Sequence, residues 1–299
     1  MAKAKAYDIA ARTRQVCADP SNALIPRVPN AGQLIDGHLV MHNGLRVQPM
    51  DLCYMSVLRA NRGCHEPQLE WVFQQVLGEI PDGATMMELG ASWAFYSMWF
   101  FAHVRDASCV LVEPDPARLA LGRRNFELNG CRGTFIQDYV GPGQWELDRF
   151  MRETDRRFVN LLLADIQGAE VDMLEGGDQT LSNGRVGYVF LGTHGQDVHY
   201  RCKEFLERRD YVIVAHADFD RGTYCFDGVL VARHRSLAGL TPLTLPLREA
   251  HAPYSPGDAR DDLSYLRDPD WLGRLRWRYH AWKYRLRSLA SRGRRGAPP

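Results

Sequence analysis

Between residues 85 and 232, short apolar runs alternate with amphipathic stretches, and no other feature constrains the fold as strongly. Thr85–Leu89, Cys109–Glu113, Gly133–Gln137, Phe158–Ala164, Gly187–Leu191, Tyr211–His216 and Gly228–Ala232 read as strands. Ala94–Val104, Asp115–Asn129, Trp145–Thr154, Ala169–Leu181 and His199–Arg208 read as the helices between them. Asp115-Pro116 supplies an N-cap and a first-turn proline, and Asn129-Gly130 a stop. Strands that are apolar almost throughout need cover on both faces, which implies a parallel sheet between two helical layers. No helix separates the last two strands, so an antiparallel hairpin should close one end. The expectation is a doubly wound α/β fold with a mostly parallel seven-stranded sheet.

The flanks read differently. Pro20, Pro26 and Pro29 argue for an irregular start. Leu39–Val47 reads as a hairpin turning at His42-Asn43-Gly44 through a type I′ turn. Glu66–Ile80 places Leu69, Val72, Phe73, Val76 and Leu77 on one helical face. Residues 1–65 are therefore expected as an N-terminal extension, 66–235 as the main domain, 236–270 as a surface wrap and 271–299 as a separate tail. In that tail Leu272, Leu275, Tyr279, Trp282, Leu286 and Leu289 recur at steps of three and four, with Arg274, Arg278, Lys283 and Arg285 off the stripe.

The net charge of +1 hides this division: nine Arg or Lys and no Asp or Glu follow Trp271, leaving 28 basic against 36 acidic residues in the body. A basic amphipathic helix suits an anionic membrane surface, through 271–289, or the protein's own acidic body. Nucleic acid ranks last, because the core shows no supporting motif. The seven cysteines have neither CxxC nor zinc-ligand spacing and read as reduced thiols of a cytoplasmic protein, which leaves disulfide-scaffold and zinc-module classes aside. Met1–Lys5 is not followed by an apolar run, so no signal peptide is expected, and Trp93–Val104 is too short to span a bilayer.

Open α/β sheets bind ligands beyond the carboxyl ends of their strands. The first such end is Glu88-Leu89-Gly90-Ala91-Ser92. A dinucleotide fingerprint from Gly90 would need glycines where Ser92 and Phe95 stand, so a pyrophosphate site, and with it an NAD-dependent dehydrogenase, is disfavoured. A ligand with a cationic amino-acid end fits better, with Glu88 attracting its ammonium; a tight turn without ligand is the plain alternative. Glu113, after the second strand, can accept from two ribose hydroxyls, since Asp115 already suits the capping role. Gln137-Asp138, after the third, can meet an adenine edge or lie in solvent. Asp165 ends the fourth strand and Thr193-His194 the fifth, which makes His194 a candidate base with Asp165 as its partner. Asp165, His194 and nearby acids also offer metal ligands, but their spacing demands no metal. His65 and His199 are secondary candidates, with surface or capping roles expected for both.

The stretch from Glu66 to Arg233 resembles the FkbM-type methyltransferases, a Rossmann-like family dependent on S-adenosylmethionine (SAM). The matching segments are Glu88-Leu89-Gly90 through Ser97, Glu113-Pro114-Asp115, Arg124-Asn125, Leu128-Asn129-Gly130 and Asp165-Ile166-Gln167-Gly168-Ala169-Glu170. Gly63–Gln68 and Asp227–Ala232 look like segments of some members. Where the family often has a second glycine, this sequence has Ala94. The resemblance implies Glu88 and Gly90 at the methionine end of SAM, Glu113 at its ribose and the Asp165 loop near the transferred methyl; Ser92 and Asp138 complete the expected cofactor-binding set. It implies an O-methyltransferase acting on a sugar, glycan or natural-product hydroxyl. A SAM-binding, non-catalytic scaffold recruited through the basic tail is the other function class.

Overall fold

A computed structural model of the chain describes residues 9–225 and 227–248, so the basic tail and most of the expected wrap lie outside the described residues. The N-terminal part holds α1 (Ile9–Cys17), a short 3-10 helix (Pro20–Leu24) and a small antiparallel sheet of β1 (Leu34–Ile35), β2 (His38–Val40) and β3 (Arg46–Val47). Helices α2 (Leu52–Ala60) and α3 (Pro67–Leu77) follow. The expectation of an irregular start missed α1, because the prolines act only beyond its last residue. The β2–β3 hairpin is present, but its turn is not type I′. Met41 N–H donates to the Leu45 carbonyl at 2.8 Å, leaving a three-residue loop in which only Gly44 has positive φ (90°). Type I′ needs positive φ at both central residues.

The main sheet is built from β4 (Thr85–Leu89), β5 (Ser108–Val112), β6 (Thr134–Ile136), β7 (Val159–Ala164), β8 (Val186–Thr193), β9 (Tyr211–Ala217) and β10 (Gly228–His234). Between them run α4 (Phe95–His103), α5 (Pro116–Leu128), α6 (Leu147–Glu153), α7 (Glu170–Glu175), α8 (Asp178–Ser182) and α9 (Gln196–Glu207). The expected single helix over 169–181 is two, parted by Gly176-Gly177, whose helix propensity is low. The strand order is β6-β5-β4-β7-β8-β10-β9. The first five strands are parallel, and β10 is antiparallel to both β8 and β9. This is a Rossmann-like, doubly wound sheet with the expected terminal hairpin.

Alternation along the strands divides the core. Met86, Leu111, Leu163 and Phe190 pack with Phe73 of α3 and Phe100 of α4 on one face. Met87, Val110, Leu162 and Leu191 pack with Leu147 of α6, Leu174 of α7 and Leu206 of α9 on the other. Successive side chains point to opposite faces, so a strand covered twice must be apolar at every position. The N-terminal segment joins the first face through Leu39, Val47 and Leu58.

The order of strands reverses between β4 and β7. The loops leaving these neighbours meet there: Asp165 N–H donates to the Leu89 carbonyl at 3.0 Å, and Gly90 N–H to the Val112 carbonyl at 2.8 Å. Gly90 has φ +78°, and a Cβ on it would stand 1.9 Å from the Asp165 carbonyl oxygen. Backbone cannot retreat as a flexible side chain can. Gly90→Ala should therefore destabilise the protein by more than about 3 kcal/mol. Gly143→Ala, at φ +75° with open space around it, should cost only about 1 kcal/mol. Denaturant unfolding of both variants checks this, and equal losses would show that the close approach at Gly90 is unimportant.

Candidate active site

The carboxyl rim beside the switch point carries the residues singled out in the sequence. The loop after β4 is unusual in its backbone: Ser92 (φ 44°) and Ala94 (φ 66°) are left-handed, as is Gly90. Ala94 thus occupies a conformation that glycine adopts without strain, at a cost of about 1 kcal/mol. Two carboxylates hold this loop. Ser97 N–H, at the start of α4, donates to Glu88 Oε2 at 3.0 Å. No side chain caps α4 at Ala94, so Glu88 supplies negative charge to the helix N-terminus instead. Glu88 is 3% exposed, and burial pushes its carboxyl up to about 7. Ser92 N–H donates to Glu113 Oε2 at 3.0 Å, and Asp115 N–H to Oε1 at 2.9 Å. Each carboxylate oxygen can accept twice, so Glu113 keeps acceptor capacity after fixing both loops. Asp115 caps α5 through Ala117 N and Arg118 N, as its sequence position suggests. Asp138 follows β6 and is partly exposed, with Tyr139 N–H on its Oδ1 at 2.8 Å.

The other side of the switch point holds a dense ionic cluster. His194, just beyond β8, presents Nε2 to Asp165 Oδ1 at 3.2 Å and to Asp227 Oδ1 at 2.9 Å. Its Nδ1 meets Glu170 Oε1 at 2.9 Å. Glu170 is fully buried and also accepts from the Gly168 backbone N–H at 3.1 Å. The Gln167 side-chain amide reaches the same Nε2 at 2.8 Å from a left-handed residue (φ 56°). Burial alone would lower the His194 pKa, but Asp227 and Glu170 raise it well above the usual range. Burial, and then the charge of Asp227, raise Asp165 well above the carboxylate range.

The N-terminal segment forms a further wall. His65 is buried, with Nδ1 2.7 Å from Glu70 Oε1 and Nε2 3.3 Å from Glu66 Oε2. Burial would depress His65, yet Glu66 and Glu70 carry it to about 9. Tyr96 Oη donates to Glu66 Oε2 at 2.6 Å. Glu66 is pushed up by burial and, among its neighbours, by Asp227, which ties this wall to the His194 cluster. Trp93 is buried beside it, stacked on Phe95 with ring centroids 5.3 Å apart and 5.0 Å from His65.

The structure brings Asp165 and His194 into contact, and places Glu88, Gly90, Ser92 and Glu113 in the neighbouring strand ends and loop. Neither His65 nor His199 has the surface or capping role expected of it; His199 is fully buried with Nδ1 2.9 Å from Thr193 Oγ1. Sequence reading did not single out Asp227, Glu170 and Glu66 as site residues. The antiparallel entry of β10 beside Thr193 is what carries Asp227 to the rim. An acid directly before a strand that returns antiparallel was the available signal.

Residues 134–220 match the family model of the methyltransferase FkbM domain. The match runs from β6 to β9 and covers less than half of the chain. The FkbM match spans Asp138, Asp165, Glu170 and His194, while Glu66, Glu88, Gly90, Glu113 and Asp227 lie outside it. No curated protein matches the sequence. Among solved structures, the chain is similar to a precorrin-6y C5,15-methyltransferase from Geobacter metallireducens GS-15, at 18% identity over 55% of this chain and 87% of that one, with a TM-score of 0.41. It is similar to a ribosomal protein L11 methylase from Lactobacillus delbrueckii subsp. bulgaricus, at 12% identity over 56% and 80% of the two chains, with a TM-score of 0.40. M. capricolum TrmK, solved with S-adenosyl-homocysteine, is 10% identical over 59% of this chain and 72% of that one, with a TM-score of 0.40. Among the described residues, no helix is long and apolar enough to cross a membrane.

Burial and the nearby His216 hold His199 down to about 3, against roughly 6.5 in an unfolded chain. The unfolded state then binds the extra proton, so His199 leaves stability intact above about pH 6.5 and erodes it as pH falls from there toward 3. His199→Gln should flatten the slope of unfolding free energy against pH between 4.5 and 6.5 by close to one proton. An unchanged slope would mean that His199 does not stay neutral in the folded protein.

Proposed function

We propose that the protein is a SAM-dependent O-methyltransferase acting on a hydroxyl of a sugar, glycan or natural product. The observation that carries this reading is the contact of Asp165, His194 and Asp227 at the rim, directly across the switch point from Gly90 and Glu113. The residues at this rim fit the cofactor by charge. Glu113, Glu170 and Asp227 bring negative charge to this rim, which suits a sulfonium and an ammonium better than a pyrophosphate. When bound, SAM supplies a methyl already activated on a cationic sulfur.

The chain's own residues have three tasks. Glu113 orients the ligand through its remaining acceptor positions, while its two backbone bonds keep the loops from shifting. Gly90, held against the Asp165 carbonyl, fixes the loop that would receive the ligand's amino-acid end, and Asp138 stands by the third strand for the adenine. With SAM bound, the space between the rim and the Glu66 wall would position the acceptor hydroxyl, which is catalysis by proximity. The Asp165–His194–Asp227 cluster would take the hydroxyl proton. We assign His194 as the base in this cluster and Asp165 as its partner or substitute; because Asp227 and Glu170 favour the protonated ring, Nε2 serves as base only after its own proton has moved to a neighbouring carboxylate. Glu170 is a positioning residue that sets the ring orientation of His194.

Calorimetric titration should show SAM binding, weakened about tenfold or more in Glu113→Gln through loss of charged hydrogen bonds. Methyl transfer to a panel of sugars and hydroxylated scaffolds should fall by about 10²–10⁴-fold in the Asp165→Asn, His194→Gln double variant, beyond any loss of SAM affinity. Absence of SAM binding sinks the enzyme reading, and unchanged turnover in the double variant sinks the assignment of the base. We also propose a cytoplasmic location with peripheral membrane contact through 271–289, outside the described residues. Removing 271–299 should then abolish co-sedimentation with anionic liposomes, and equal sedimentation of both forms would refute the contact.

A further inference from the structure

We infer that Asp165, His194 and Asp227 form a binding site for one divalent cation of the Mg²⁺/Mn²⁺ class. One ligand atom from each residue, Nε2 of His194 and a carboxylate oxygen of each acid, lies within 4.8 Å of the other two. The two measured edges, 2.9 Å from Asp227 and 3.2 Å from Asp165 to Nε2, are informative. An octahedral ion with ligands at about 2.1 Å sets adjacent donors about 3 Å apart and opposite donors about 4.2 Å apart. The two edges to Nε2 match adjacent donors of such an ion.

Two independent features fit a cation better than a bare ion pair. The first is the support behind the imidazole. Glu170 is fully buried, accepts at Oε1 from Gly168 N–H, and faces Nδ1 of His194 at 2.9 Å. A carboxylate on the far nitrogen fixes the tautomer whose Nε2 lone pair points forward, the usual support of a ligating histidine. The second is the amide of Gln167, 2.8 Å from the same Nε2. Turned about its terminal bond, which exchanges O and N in place, it brings a neutral oxygen to the same point. Carboxylate oxygens with one imidazole nitrogen suit Mn²⁺ well and Mg²⁺ adequately. Three protein donors leave the other positions of a six-coordinate ion for water or for an acceptor's oxygens. A divalent ion bound there lowers the pKa of a coordinated hydroxyl, which deepens the proposed O-methyl transfer and rests on that reading only for its purpose.

The test uses the full-length protein, stripped with a chelator and exchanged into metal-free buffer. Titration with Mn²⁺, followed by the loss of the free-ion paramagnetic resonance signal and by calorimetry, should show one saturable equivalent. Asp227→Asn and His194→Gln should each weaken it at least tenfold, and Glu170→Gln by about 10–100-fold, with circular dichroism unchanged. Should His194→Gln fail to fold, Asp227→Asn carries the comparison. Absence of saturable binding, or binding of equal strength in Asp227→Asn, overturns the site and leaves a proton shared at Nε2. SAM titration of the stripped protein separates the two proposals. SAM binding and undiminished methyl transfer without metal keep the methyltransferase and overturn the cation's part in the transfer. Mn²⁺ bound at these residues with no SAM binding does the reverse.

Discussion

The close approach of two backbones at the switch point governs the rest of the molecule. Gly90 and Asp165 leave adjacent parallel strands in register, and no atom fits between the Gly90 α-carbon and the Asp165 carbonyl oxygen. That contact sets the course of the β4 loop, whose left-handed residues at 90, 92 and 94 turn the chain sharply into α4. It also pins the start of the Asp165 loop, from which Gln167 and Glu170 reach His194. A shift of either strand end would move both halves of the site together. The carboxylates of Glu88 and Glu113 work in the same direction. Each is nearly buried and bonded to a backbone N–H of the β4 loop or of the helix that follows it.

Charge is concentrated where the fold leaves an opening. Most carboxylates of a soluble protein lie in water, yet here Glu66, Glu70, Glu88, Glu113 and Glu170 are buried or nearly so, around one edge of one sheet. Two imidazoles, His65 and His194, are embedded among them, each with carboxylate oxygens at both ring nitrogens. Such an arrangement costs desolvation energy that packing alone would not repay. A site selected to hold cations gives those charges a use, whether the cation is a sulfonium, an ammonium or a metal ion.

Much of this was legible in the order of residues. Apolar runs of the right length marked all seven core strands, since a doubly covered strand has no polar position to spare. Asp115-Pro116 and Asn129-Gly130 marked α5 to the residue, because capping is local chemistry. The rule that ligands lie beyond the carboxyl ends of strands brought Asp165 and His194 forward together. What escaped were features with weak or distant signals. Helix α1 buries only Val16, so it has no apolar stripe of the kind that marks α3. The break between α7 and α8 rests on Gly176-Gly177 within an otherwise helical pattern.

The sequence by itself determined the sheet, its helical layers and the strand-end positions of Glu113, Asp165 and His194, because hydrophobic periodicity and capping act over a few residues. Only the tertiary structure decided that Asp227 joins them, that Glu170 stands behind the imidazole and that the Glu66 wall closes over the rim. Those contacts join residues dozens to more than a hundred positions apart. Their partners are chosen by strand order and direction, which no local pattern of side chains encodes.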